Sequence, residues 1–111
     1  MKLIVEGGNA QLTEIYLAEL RVKIQEEFSE NNLKVLEVSN TPEGEKGLWD
    51  QIFISILSKA AAEAFGKFLT FFSRKNKVNI IIEKQDGTKI KISYRGNRAE
   101  EVQRFLETAV E

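Results

Sequence analysis

The sequence contains no cysteine and no histidine, and these two absences exclude several kinds of chemistry. Without cysteine, the chain cannot form a disulfide or offer a thiol nucleophile or a thiolate metal ligand. Without histidine, it lacks the side chain that most often serves as a general base and as a ligand of transition metals. We therefore expect a protein that is not an enzyme and that holds neither a metal nor a cofactor.

The chain also lacks an excess of charge of either sign. It has 16 Lys and Arg against 17 Asp and Glu, a formal net charge of −1. No overall field therefore attracts nucleic acid or an acidic membrane. Glu6 interrupts the first apolar run after three residues, which is too short for a signal peptide. We expect a single domain over residues 1–111, located in the cytoplasm.

The central stretch Gly47–Phe72 concentrates the aromatic residues, because it holds the only Trp and most of the Phe. Polar residues recur along it in steps of four and three, which place them on one face of a helix. These residues are Gln51, Ser55, Lys59, Glu63, Lys67 and Thr70. The remaining positions are apolar or small, so the spacing predicts one long apolar helix at the centre of the fold, buried on more than one side.

The same stretch is long enough to raise the question of a membrane span. Each apolar residue would gain about 0.3–0.6 kcal/mol on insertion, whereas each central charge would lose about 2.5–3.5 kcal/mol. The stretch contains Asp50, Lys59, Glu63 and Lys67. These charges speak against a spanning helix, and a membrane-active protein whose central helix inserts on activation stays an alternative.

A strand, a helix and a second strand are expected before this stretch. Lys2–Val5 is a short β-rich run, and Asn9 can cap a helix over Ala10–Glu30. The inward face of that helix is assigned to Leu12, Ile15, Tyr16, Leu20, Ile24 and Phe28. Leu33–Val38 follows as a strand, and the spacing predicts that the two strands are parallel.

Two strands and a helix are expected after it. Lys77–Lys84 and Lys89–Tyr94 alternate apolar and polar residues, and Asp86-Gly87 between them predicts a type I′ hairpin turn. Asn97 and Glu100 can form the capping box of a last helix, whose inner face is assigned to Val102, Phe105, Leu106 and Ala109. The predicted order is β-α-β-α-β-β-α, an α+β fold with a mixed four-stranded sheet packed by helices.

Two groups of side chains are candidates for binding. The aromatic set is Trp49, Phe53, Phe65, Phe68, Phe71 and Phe72. Its simplest role is the core, but one helix carries more aromatic surface than a small sheet covers, so part of it is a candidate interface with a partner subunit. The basic set is Arg74, Lys75, Lys77, Lys89 and Lys91. It could bind nucleic acid, although lysines that protect an edge strand from aggregation explain it more simply.

The second half of the chain resembles the effector-associated constant component family of bacterial conflict systems. The similarity comprises the Gly47-Leu48 opening of an apolar helix, the basic turn Ser73–Lys77 and the strand Val78–Glu83. It continues through Asp86-Gly87-Thr88, the strand Lys89–Tyr94 and a terminal helix with Phe105-Leu106. Trp49 and the Phe residues make the helix bulkier than the small-residue version typical of the family.

The resemblance implies a small non-enzymatic component of an anti-phage or immunity-like system. Its implied role is that of an adaptor or regulator that recruits or restrains an effector by protein–protein contact. The implied effectors are caspase-like or trypsin-like peptidases and signalling NTPases. The aromatic set adds the expectation that the chain can form a homo-oligomer.

Overall fold

The structure is a computed structural model that describes residues 1–6, 10–39, 51–96 and 99–110. In chain order its elements are β1 (Lys2–Glu6), α1 (Ala10–Glu27), β2 (Leu33–Ser39), β3 (Gln51–Ile56), α2 (Lys59–Asn76), β4 (Asn79–Glu83), β5 (Lys89–Ile92) and α3 (Ala99–Glu107). The α+β class is confirmed, but the sheet has five strands rather than four. The predicted caps Asn9 and Asn97, and Trp49, lie outside the described residues.

The five described strands form one sheet of order β2-β3-β1-β4-β5. Every neighbouring pair is antiparallel, so the predicted mixed sheet is wrong. β1 and β2 run parallel to each other, as predicted, but they are not neighbours. β3 lies between β1 and β2 and pairs with both. The first six elements thus follow the β-α-β-β-α-β order of the split β-α-β, or ferredoxin-like, arrangement, and β5 and α3 extend it.

The predicted helix over Gly47–Phe72 is wrong over Gln51–Ile56, which is the strand β3, and the helix begins only at Lys59. Its isoleucines at 52, 54 and 56 are all buried, which is the period of two that a strand produces. Isoleucine is β-branched and favours this conformation. Ser58 then has extended backbone angles, and its hydroxyl accepts the Ala61 N–H at 3.1 Å. This N-cap begins the helix at Lys59.

The hydrophobic core lies between one face of the sheet and the helices. Leu3 of β1 is opposite Ile52 of β3 and Ile82 of β4, and all three are fully buried. The alternation predicted for residues 78–82 is confirmed, since Val78, Ile80 and Ile82 are buried together. In α3, Val102 and Leu106 are buried as predicted.

None of the described helices covers the opposite face of the sheet, which we call the open face. It carries Ile4, Phe53 and Ile81, each partly buried. Charged side chains surround them in two ion pairs, Lys2–Glu83 and Lys91–Glu6, each 3.2 Å long. Lys89 and Lys91 point to this face as the alternation in β5 predicts, so one side of the hairpin is wet.

Helix α1 presents a different face to the core than the sequence predicts. Its buried side chains are Thr13, Leu17, Leu20 and Ile24, and Tyr16 and Phe28 pack against them in part. Leu12 and Ile15, which were expected inward, are 39% and 54% exposed. The buried residues follow one another in steps of four, three and four, which keeps them on one face of the helix. Thr13 and Leu17 thus take the core-facing positions that are predicted for Leu12 and Ile15.

The β4–β5 hairpin has a three-residue loop rather than the predicted type I′ turn. The Lys84 N–H donates to Thr88 O at 2.9 Å, and the Gly87 N–H donates to Lys84 O at 3.0 Å. In this loop only Gly87 has a positive φ, of 91°, whereas a type I′ turn needs two such residues. A tight turn followed by a left-handed glycine matches the bulged three-residue hairpin.

Candidate interaction surface

The structure separates the aromatic set predicted as an interface. Phe65 is 0% and Phe72 4% exposed, so both belong to the core and offer almost no surface to a partner. Phe53 lies on the open face of the sheet, and Trp49 lies outside the described residues. Phe68 is partly buried, whereas Phe71 is 66% exposed. Of the predicted set, Phe71 therefore offers the largest described contact surface.

An aromatic cluster between α1 and α2 buries much of the aromatic surface that the sheet does not cover. Phe28, just after α1, meets Phe65 edge-on at a centroid distance of 5.5 Å and Phe68 at 5.6 Å. Phe65 and Phe68 stack at 6.1 Å, and Phe68 contacts Phe72 at 6.3 Å. Edge-to-face and offset contacts of this kind contribute about 0.5–1.5 kcal/mol each beyond area burial. The cluster fixes the end of α1 against α2.

A groove remains between these two helices on the outer side of the cluster, and we call it the α1–α2 groove. Its volume is about 400 Å³. Phe68 and Phe71 supply its apolar surface, and the short side chain of Ala64 leaves the groove open at that position. The lining residues are Glu19, Lys23, Glu27, Ala64, Lys67, Phe68, Phe71, Phe72, Lys75 and Asn76. The groove is thus an aromatic surface with a charged rim.

The charged rim of the α1–α2 groove is adaptable. The Lys67 ammonium lies 3.5 Å from Glu63, and the Lys23 ammonium lies 3.8 Å from Glu26. Both pairs are largely exposed, and exposed ion pairs contribute only about 0–1 kcal/mol. The lysines can therefore turn to a carboxylate of a partner at little cost. Lys75 also lies in the last turn of α2, where a positive charge favours the helix dipole.

The structure does not bring the predicted basic set together on one face. Arg74 and Lys75 lie at the end of α2 in the helical layer, and Lys77 is its left-handed C-cap, with φ of 54°. Lys89 and Lys91 lie on β5 and point to the open face, where Lys91 pairs with Glu6 at 3.2 Å. The lysines of β5 and the cations of α2 are thus on different layers, and Lys75 belongs to the α1–α2 groove instead.

A smaller depression of about 280 Å³ lies beside the hairpin and the end of the chain. Lys84 contacts the Thr108 hydroxyl at 2.8 Å and lies 4.7 Å from the centre of the Phe105 ring. Hydrogen bonds from the Thr88 hydroxyl and backbone N–H lower the pKa of Asp86 below its ordinary value of 3.8. The Lys84 contacts hold the hairpin against the C-terminal segment, and the Asp86 contacts stabilise the hairpin loop itself. Both sets of contacts are therefore structural.

Two buried hydroxyl side chains of α2 form hydrogen bonds within the fold. The Thr70 hydroxyl donates to Gly66 O at 2.8 Å, and the Ser73 hydroxyl donates to Val78 O. In the described ranges no three acidic side chains gather where they could hold a metal ion. None of the helices in those ranges is both long and apolar enough to cross a membrane.

No family model matches the chain, and neither a curated protein nor a solved structure is significantly similar to it. A function must therefore be argued from the surfaces of the molecule. The α1–α2 groove combines an exposed aromatic side chain, a concave shape and a rim of both charges. Aromatic residues in such places concentrate binding energy in protein interfaces.

Proposed function

We propose that this protein is a non-catalytic adaptor or regulator of a bacterial conflict or anti-phage defence system. It acts by binding an effector of the peptidase or NTPase type through the α1–α2 groove. The observation that carries the proposal is Phe71, which is 66% exposed at the edge of a groove of about 400 Å³. A large aromatic side chain left in water at this position is available to a partner.

The resemblance to the effector-associated constant component family supports the biological setting. Its turn Ser73–Lys77, both strands of the hairpin and the last helix correspond to the end of α2, β4, β5 and α3. The long helix that opened the resemblance is shortened to Lys59–Asn76. The α2 side of the groove therefore lies within the part of the chain that the resemblance covers, whereas the α1 side precedes it.

The groove suits a segment of the effector that carries an apolar anchor. Phe68 provides a half-buried surface against which such an anchor can pack, and Phe71 can close over it. Lys23, Lys67 and Glu19 on the rim can pair with charges of either sign on the segment. Pairs of this type govern association rate and selectivity more than affinity, so the anchor contact should dominate the binding free energy.

The structure gives less support to the two alternatives, a membrane-active protein and a nucleic-acid-binding module. The membrane-active alternative needs one apolar helix over Gly47–Phe72, and Gln51–Ile56 of that stretch is a strand. The nucleic-acid alternative needs the basic residues on one surface, and they lie on two layers. We therefore propose the adaptor function alone.

Isothermal titration calorimetry tests the proposal by measuring the binding of this protein to a peptidase or an NTPase whose gene lies beside its own. We expect Phe71→Ala to weaken binding by at least about tenfold, because it removes the exposed aromatic contact. Leu57→Ala is the matched control, since Leu57 is also an exposed large hydrophobic residue but lies away from the groove. Thermal unfolding should show that both variants fold as the unmodified protein does.

Two results would contradict the proposal in different ways. An unchanged dissociation constant for Phe71→Ala would move the binding site away from the α1–α2 groove. A failure of every neighbouring effector to bind the unmodified protein would remove the adaptor function itself.

A further inference from the structure

Phe68, which lines the α1–α2 groove, is in contact with three other aromatic rings. Its ring centroid lies 5.6 Å from that of Phe28, 6.1 Å from that of Phe65 and 6.3 Å from that of Phe72. Phe28 meets it edge-on, with the ring planes at 80°, whereas Phe65 lies nearly parallel to it, at 14°. The residues that line the groove include neither Phe28 nor Phe65. These two rings therefore affect a bound segment only through Phe68.

The neighbouring rings restrict the side-chain conformation of Phe68. An aromatic residue on a helix has two favourable χ1 angles, about 180° and about −60°. A change from one to the other swings the ring by about 120° around the Cα–Cβ bond, which would break its contacts with the cluster. Phe65 and Phe72 are held by the core, so they cannot follow such a movement. Phe68 is thus fixed in one rotamer before a partner arrives.

Phe71, the other large aromatic residue of the groove, has no such restraint. Within the described part of the chain it forms no contact with another ring, and it is 66% exposed. It therefore keeps the rotamer freedom that Phe68 has lost. The groove combines a fixed aromatic floor with a movable aromatic side chain at its edge.

Phe28 supplies the contact that reaches Phe68 from across the groove. Phe65, Phe68 and Phe72 all belong to α2, whereas Phe28 directly follows the last residue of α1. The Phe28 N–H donates to Ile24 O at 3.0 Å, so the backbone at Phe28 continues the last turn of that helix. The position of Phe68 thus depends on a side chain that is anchored on α1.

We propose that Phe28 is a positioning residue of the α1–α2 groove. It fixes the Phe68 ring as a preformed floor for the apolar anchor of a bound segment, and it does not touch that segment. Of the two aromatic side chains Phe68 and Phe71, only Phe71 is then ordered on binding, which favours affinity because each side chain that must be ordered weakens it. The use of the floor by an effector rests on the proposed function, whereas the fixing of Phe68 by Phe28 does not.

NMR on the free protein tests whether Phe28 fixes Phe68. Vicinal couplings between Cγ of Phe68 and its backbone N and carbonyl carbon report χ1. We expect the values of a single rotamer in the unmodified protein and averaged values in Phe28→Leu, which keeps an apolar side chain but removes the ring. Phe28→Tyr keeps the ring and should keep the single rotamer. If Phe28→Leu does not fold, Phe28→Met replaces it, because the flexible methionine side chain fills irregular spaces.

A matched control separates positioning from a general loss of stability. Ile92→Val removes one methyl group from a fully buried residue of β5 that does not line the groove. It should lower the thermal unfolding temperature but leave the Phe68 couplings unchanged. Phe71→Ala should also leave these couplings unchanged, because Phe71 is not part of the ring cluster.

Isothermal titration calorimetry with the effector tests the consequence for binding. We expect Phe28→Leu to raise the dissociation constant by about two- to tenfold, because Phe68 must then be ordered when the segment binds. Phe28→Tyr and Ile92→Val should leave the dissociation constant unchanged. The loss in Phe28→Leu would thus come from a residue that does not line the groove.

Three results would overturn the proposal: a single Phe68 rotamer in Phe28→Leu, averaged couplings with an unchanged dissociation constant, or an equal loss of affinity in Ile92→Val. A failure of every neighbouring effector to bind the unmodified protein would instead remove the proposed function. In that case the Phe68 couplings by themselves decide whether Phe28 holds the floor of the groove.

Discussion

At the scale of single residues, Phe71 and Phe72 show that adjacent side chains of one type can have opposite roles. Phe72 is buried against the aromatic cluster, whereas Phe71 is largely exposed. Because successive residues of a helix are about 100° apart, one can face the core while the next faces solvent. Composition therefore predicts an aromatic-rich helix, but only the helix orientation selects the aromatic side chain that a partner can reach.

Asp86 provides a prediction at this scale. Its pKa lies below 3.8 because the Thr88 hydroxyl and N–H donate to the carboxylate, the N–H at 2.9 Å. Because the folded-state pKa is lowered, the hydrogen bonds to the Asp86 carboxylate stabilise the fold at pH values above the unfolded-state pKa. This stabilisation is lost as pH falls through the folded-state pKa. We expect an NMR titration of the Asp86 carboxyl carbon to have its midpoint below 3.8.

The Thr88 hydroxyl can be tested as the cause. Thr88→Val removes the hydroxyl and should raise the pKa of Asp86 toward its ordinary value. Thr88→Ser keeps a hydroxyl at the same position and should leave the pKa low. Equal titration midpoints in the valine and serine variants would show that the hydroxyl does not hold the carboxylate.

At the scale of elements, the strand β3 illustrates how one segment can fit two periods. Gln51, Ser55 and Lys59 recur every four residues and predict a helical face. The isoleucines at 52, 54 and 56 recur every two residues and form the buried face of a strand. Pairing with β1 and β2 decides between them, because it satisfies the backbone hydrogen bonds on both sides of β3.

The contact between α2 and α3 depends on a glycine. A Cβ placed on Gly66 would lie 2.8 Å from Gln103 Cγ and 3.3 Å from Gln103 Cα. Overpacking costs about 1–3 kcal/mol, more than the gain of about 1 kcal/mol from the higher helix propensity of alanine. We expect Gly66→Ala to lower the free energy of unfolding by about 0.5–2 kcal/mol in urea denaturation.

A double-mutant cycle identifies the source of that loss. Gln103→Ala removes the Cγ atom that is closest to the added methyl group, so Gly66→Ala should cost less in its presence than alone. If the Gly66→Ala protein is more stable than the unmodified one, α2 and α3 can accommodate the added methyl group without a loss of packing energy, and the prediction is wrong.

At the scale of the whole molecule, the sheet order places β1 at the centre of the hydrogen-bond network. β1 pairs with β3 on one side and β4 on the other, whereas β2 and β5 are the edges. Its inward residues Leu3 and Val5 are fully buried. The last parts of a protein to open are those with the most buried contacts and the best protected hydrogen bonds.

Native-state hydrogen exchange should therefore rank the strands. We expect the amides of β1 and β3 to exchange most slowly and those of the short edge strand β5 to exchange faster. Ile90 and Ile92 report on β5, and Leu3 and Ile4 report on β1, because their amides face a paired strand. Equal protection of β5 and β1 would contradict the order β2-β3-β1-β4-β5.

Local patterns in the sequence determined the elements whose chemistry is unambiguous. The alternation of Val78, Ile80 and Ile82 predicts a half-buried strand, Asp86-Gly87 predicts a hairpin, and the spacing of Val102 and Leu106 predicts the face of the last helix. Each depends on residues close in sequence, so the signal is complete within the segment. The α+β class follows from these elements.

Only the tertiary structure decided which strands are neighbours and which apolar residues stay exposed. The insertion of β3 between β1 and β2 is a long-range pairing that no local period encodes. Similarly, Phe28 reaches Phe65 and Phe68 across the gap between two helices and buries them. That packing leaves Phe71, Ile15 and Val22 in solvent, because exposure depends on how the helices are set against the sheet and against each other.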